Sequence, residues 1–151
     1  MNAYLALAAF AVPLALGAWS DVRTRLIPNW LCLLIAAMGL GFVAATAGWA
    51  AVPSHLAHMG IALVVGIALF AFKMWGGGDG KFYAATAAWF PLSQAFGLVF
   101  AISLAGIALL IVIIFARRGR LVKGERKSVP YGVAIAGGAL ANFAAMNLWL
   151  A

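Results

Sequence analysis

Between Asn2 and Ser20 the chain carries no charged side chain, and apolar stretches of similar length recur along its whole course. A run of about 20 apolar residues is what a helix needs to cross the hydrocarbon layer. In lipid a backbone amide must find its partner inside the protein, so long unbroken apolar runs fold as helices. Hydrophobic residues make up 67% of the 151, and charged residues only 9%. An ordinary soluble domain carries roughly 25% charged residues, and a small globule leaves much of its surface in water. A soluble enzyme, a disordered tail and a DNA-binding domain are therefore excluded. The expected fold class is all-α, as a polytopic integral membrane protein.

Six runs are expected to form transmembrane helices. The first covers Asn2 to Ser20; it lacks the basic start of a signal peptide and is read as a retained helix. The second begins at Pro28, a residue suited to a first helical turn, and fades near Gly48. The third spans His55 to Trp75, and the fourth, short one Asp79 to Pro91. The fifth spans Ser93 to Ala116 and the sixth Pro130 to Ala151. The fourth is too short for a full crossing and should be sheltered by its neighbours. No stretch is left for a soluble domain, so residues 1–151 are expected to form a single domain.

The ten Lys and Arg fall on one side of this plan. They lie in the turns Asp21–Ile27, Trp75–Lys81 and Arg117–Val129, with Lys73 at the end of the third helix. The opposite turns, Gly48–Ser54 and Pro91–Gln94, hold none. The positive-inside rule then puts the charged turns in the cytoplasm and both termini outside.

Three acids stand against these ten bases: Asp21, Asp79 and Glu125. Glu125, inside the basic loop, reads as a solvated charge or a local ion pair. The two aspartates lie at span ends with two complete spans between them. An even number of crossings returns the chain to the same face, so both carboxylates share one side of the membrane whatever its orientation. Ionisable groups at membrane edges are functional candidates. Two neighbouring carboxylates cannot both ionise easily and can share a proton. One can then take a proton from water while the other donates to a carbonyl, the chemistry of an aspartic protease. It requires no metal and no cofactor.

Each aspartate also has a plainer explanation. Asp79 could be the N-cap of the fourth helix, and Asp21 could pair with Arg23 or Arg25 at the interface. A helix N-terminus would favour Asp79 as the ionised partner and Asp21 as the protonated one. Gly76, Gly77 and Gly78 precede Asp79. They read either as a flexible turn or as bare backbone for pairing with an extended peptide. They are not a phosphate cradle, since Lys81 is followed by Phe82 rather than Ser or Thr.

The string Asp21-Val22-Arg23-Thr24-Arg25-Leu26-Ile27-Pro28-Asn29 resembles the first-aspartate motif of type IV prepilin peptidases. Gly76-Gly77-Gly78-Asp79-Gly80-Lys81 is similar to their second, a form of the GxGD signature of intramembrane aspartic proteases. Val129-Pro130-Tyr131-Gly132 resembles a later Pro-aromatic-Gly element. The resemblance implies leader removal from prepilin-like precursors at the cytoplasmic face of the bacterial inner membrane, with Asp21 and Asp79 as the catalytic pair. It also implies site-shaping or substrate-binding roles for Gly76, Gly77, Gly78, Lys81, Arg23, Arg25, Pro28, Asn29, Pro130 and Tyr131. Longer members carry a cytoplasmic insertion with paired cysteines and also methylate the new N-terminus. Here the first turn is short and Cys32 is the only cysteine, so a peptidase without methyltransferase activity is expected. The small size resembles the peptidases of tight-adherence (Flp/Tad) pili, whose substrates carry a hydrophobic helix after the cut. Pilus-assembly machinery and membrane lipids are the further partners implied.

His55 and His58, three apart, read as interfacial histidines rather than a metal pair, and no metal is expected. Trp19, Trp30, Trp49, Trp75, Trp89 and Trp149 read mostly as interfacial anchors. The basic loop Arg117–Lys127 reads as a topology signal that meets anionic lipid, with no nucleic-acid partner. Two other readings of the chain are a small ion or proton transporter using paired carboxylates and a non-catalytic pilus-assembly subunit.

Overall fold

A computed structural model describes residues 3–117 and 129–148. Glu125, most of the basic loop, Trp149 and the far end of the sixth run lie outside these described residues. The described residues form six α-helices: α1 (Ala3–Thr24), α2 (Asn29–Thr46), α3 (Val52–Ala71), α4 (Gly77–Ala87), α5 (Ala95–Arg117) and α6 (Tyr131–Leu148). Four stretches are long and apolar enough to cross a membrane, at 5–24, 29–46, 49–71 and 92–116.

Several ends differ from the sequence expectation. α1 runs on to Thr24, so Asp21 lies inside its last turn rather than closing it. α3 ends at Ala71 instead of Trp75, because Lys73 takes a left-handed conformation with φ 57° and turns the chain. α4 starts at Gly77, two residues before Asp79.

The short helix α4 is the centre of the molecule. Phe82, Tyr83 and the run Ala84–Ala87 are all buried. Its 11 residues span only about 16 Å, roughly half the hydrocarbon thickness. It crosses α3 where Gly66 meets Gly80; a Cβ on Gly66 would lie 2.9 Å from the Gly80 Cα. Backbones approach this closely only where side chains are missing. On its other flank Trp89 is 4% exposed and its indole N–H donates to the Ile35 carbonyl at 2.9 Å. Trp89 is thus a core residue of the bundle, not an interfacial anchor; Trp19, Trp30 and Trp49 are exposed as anchors would be.

A helix that stops inside the bundle leaves carbonyls to be satisfied. His55 and His58 supply the donors: their Nδ1 atoms lie 3.1 Å from the Ala88 carbonyl and 3.0 Å from the Phe90 carbonyl. A carbonyl only accepts, so each Nδ1 carries the proton. The two histidines are 7% and 0% exposed. They are therefore buried fasteners for the end of α4, in place of the interfacial role expected from their position. His58→Ala should destabilise the protein by about 1–3 kcal/mol, since it strands a buried acceptor. His58→Asn, which keeps a donor at the same reach, should recover part of that loss. Equal thermal stability in detergent for His58→Ala and the parent protein would refute the fastening role.

Candidate active site

Asp21 is 6% exposed, and its Oδ2 accepts a hydrogen bond from the backbone N–H of Gly132 at 2.8 Å. Gly132 is the second residue of α6. The first amides of a helix have no partner within it and carry the positive end of its dipole. The start of α6 therefore holds the carboxylate of α1. The fit is tight: a Cβ on Gly132 would lie 2.9 Å from both Cβ and Oδ2 of Asp21.

Asp79 is the third residue of α4. Gly76, extended at φ −71° and ψ 142°, takes the capping position instead. Its N–H donates to the Asp79 carboxylate, the reach-back half of a capping box. A Cβ at Gly76 would come within 2.7 Å of the Asp79 Oδ2. Each aspartate is thus held at a helix start beside a glycine that leaves room for its oxygen.

Both carboxylates line one cavity of about 370 Å³, with Arg25, Gly76, Gly77, Gly78 and Tyr131 around them. Arg25 follows α1 in a left-handed conformation, φ 57°, and its N–H donates to the Asp21 carbonyl at 3.0 Å. For a residue other than glycine this conformation costs roughly 1–2 kcal/mol. The Ser20 hydroxyl secures the turn by donating to the Leu26 carbonyl at 2.7 Å.

Asp79 lies outside the four long spans. Burial, and next the Asp21 charge, push its pKa up to about 6; the Gly76 hydrogen bond and the Arg25 charge oppose this more weakly. The direction is opposite to the one the helix N-terminus alone suggests. Desolvation and a like charge outweigh the dipole, so Asp79 keeps its proton to a higher pH than an ordinary carboxyl does. One protonated and one charged carboxylate in a shared cavity can deliver and accept a proton across a substrate between them.

The remaining sequence candidates fall elsewhere. Arg23 stacks on Trp19, its guanidinium carbon 4.4 Å from the ring centroid, at the exposed edge of α1. Lys81 donates to the Asn29 side-chain oxygen, tying α4 to α2 on a different flank from the aspartate cavity. Pro28 occupies the capping position of α2, and its carbonyl accepts from the Leu31 and Cys32 amides. The Pro130 carbonyl accepts from Val133 in the first turn of α6. Sequence reasoning had not placed Leu26, Ile27 and Val129 in the cavity wall, nor the Gly132 amide on Asp21. The glycine in Pro-Tyr-Gly at a helix start was the available signal for the last.

A family model described as the type IV leader peptidase family matches residues 8–116, well over half of the chain. The matched segment includes both aspartates and ends before α6. Neither a curated protein nor a solved structure gives a significant match.

Proposed function

We propose, from the premise that the chain belongs to the type IV leader peptidase family, that it is a membrane-embedded aspartic endopeptidase acting through Asp21 and Asp79. It removes the leader from prepilin-like precursors. The observation that carries this reading is the meeting of two carboxylates from separate helices in one cavity, with Asp79 held towards its protonated form by burial and by Asp21. Asp21 takes a proton from water. The resulting hydroxide attacks the scissile carbonyl while Asp79 donates its proton to the carbonyl oxygen. The tetrahedral gem-diol then collapses: the C–N bond breaks, the departing amine takes up the proton from Asp21, and one gem-diol hydroxyl returns its proton to Asp79 as the new carboxyl group forms. No metal or cofactor takes part.

Gly76, Gly77 and Gly78 keep the cavity wall beside Asp79 free of side chains, which leaves room for a peptide, and Arg25 and Tyr131 wall the site. Lys81, Asn29, Pro28 and Pro130 act one step out by fixing α4, α2 and α6, and Arg23 anchors the edge of α1. The finer reading is a single-domain peptidase of the tight-adherence branch, without methyltransferase activity. The four-residue link between α1 and α2, 25–28, supports it, since a cysteine-bearing insertion has no place there. Six crossings, with both termini outside and the site at the cytoplasmic face of the inner membrane, complete the proposal; the one-sided Lys and Arg support it.

Purified protein incubated with a precursor should release the leader as a shift on a gel, and its pH dependence tests the mechanism. kcat/KM reports the free enzyme, so it should fall as pH rises through about 6, where Asp79 loses the proton it must donate. The Arg25 charge holds that value down, so Arg25→Gln should move the falling limb to higher pH. A limb that stays fixed or moves down would remove Asp79 from the acid role.

Orientation is tested by labelling. The single native thiol, Cys32, is buried. Cysteines introduced at Ser54 and Ser93 should react with an impermeant reagent from outside, whereas one at Ser128 should not. External labelling at Ser128 would reverse the topology.

A further inference from the structure

Two more hollows, of about 310 and 410 Å³, continue from the aspartate cavity. The first shares Val129 and Tyr131 with that cavity, and the second shares Trp75, Ile102 and Ser103 with the first. Through these shared wall residues the three hollows stand end to end, from the carboxylates towards His58, and are together called the trough. α3, with Trp75 and Tyr83, makes one wall, and α5 makes the other. α5 packs along α6 and has almost no contact with α3, which leaves the space between α3 and α5 open.

On α5 the trough is lined by Phe96, Val99, Ser103, Gly106 and Leu110. Their spacing of three and four residues makes a single helical stripe about 21 Å long. Among the described residues, no charged side chain lines either hollow. Its deep end holds one buried acceptor, the His58 Nε2, which has no hydrogen-bond partner while Nδ1 serves the Phe90 carbonyl.

We infer that this trough receives the apolar helix of the substrate, the segment that directly follows the scissile bond. The inference rests on the peptidase reading and assigns it a place for its substrate. An apolar helix of about four turns matches the length of the stripe. Its upper end then enters the cavity between Tyr131 and the aspartates, so the residues just before it meet the carboxylates already unwound. A lipid chain would fill the same volume, but it has no need of a path that opens onto the two acids. The continuity of trough and cavity therefore favours a chain carrying both an apolar helix and a bond to be cut.

The probe is a model precursor, a short leader joined to a 20-residue apolar helix. A photo-crosslinking side chain in place of Val99 should capture it, and one in place of Leu33, on α2 away from the trough, should not. Gly106→Leu fills the trough and should raise KM for the precursor about tenfold, with no such rise for a peptide that ends just past the cut site. Leu33→Trp, equally bulky and outside the trough, should cleave the precursor normally. Normal cleavage with no adduct at Val99, or with only lipid or a second copy of the enzyme captured there, overturns the trough and leaves the peptidase reading standing. Capture at Val99 by an enzyme that cuts nothing supports the trough and overturns the peptidase reading instead.

Discussion

Asp21→Asn and Asp79→Asn should each abolish leader cleavage, by a factor of about 10³ or more, while leaving the protein folded. General acid and general base catalysis each contribute about 10² to 10⁴ in rate. A pair that shares one proton works as a unit, so the double variant should be no worse than either single one. Folding survives because the holding contacts survive. The Gly132 amide can donate to an Asn oxygen at position 21, and the Gly76 amide can do the same at position 79. An uncharged amide at a membrane edge is also cheaper to bury than a carboxylate. Glu125→Gln removes the third acid of the chain and should retain substantial activity. The measurement is initial cleavage rate in detergent beside a thermal melt. A well-folded Asp79→Asn protein that cuts at the parental rate would return Asp79 to the role of a helix-start residue alone.

That these two acids share one face was legible in the sequence because it depends on parity, whereas their meeting in one cavity depends on how the helices pack. Two intervening crossings bring the chain back to the same face wherever the helix ends fall. The enclosure of α4 was legible for a similar reason, since 11 helical residues cannot cross alone and must be covered by neighbours. Features set by contacts between distant residues were hidden. Nothing local to His55 or His58 announces that the end of α4, some 30 residues on, will offer them carbonyls. Trp89 near a span end looks like an anchor until α2 is seen to offer the Ile35 carbonyl. The upward push on the Asp79 pKa was hidden for the same reason. The dipole of α4 is readable from sequence, but the burial of Asp79 and its nearness to Asp21 arise only when α1, α4 and α6 assemble.

The start of α6 supplies the sharpest test of that assembly. Gly132→Ala should lower cleavage by about 10- to 100-fold without weakening the helix. Alanine is the better helix former by up to about 1 kcal/mol, so any loss of activity cannot be assigned to a less stable α6. What alanine adds is a methyl group 2.9 Å from the Asp21 Cβ and Oδ2, closer than unbonded carbon and oxygen atoms tolerate. Either the carboxylate turns away or α6 backs off, and both break the 2.8 Å bond from the Gly132 amide. Displacements of about 1 Å in a reacting group cost on the order of 10²-fold in rate. Gly76→Ala should act in the same way on Asp79, whose Oδ2 would lie 2.7 Å from the new methyl. Gly41→Ala and Gly60→Ala are the controls: a Cβ at either position meets nothing within 4 Å, and both variants should cleave at the parental rate. If Gly132→Ala cleaves as fast as these controls, Asp21 does not depend on the helix start that holds it, and the carboxylate must reach its working position by some other support.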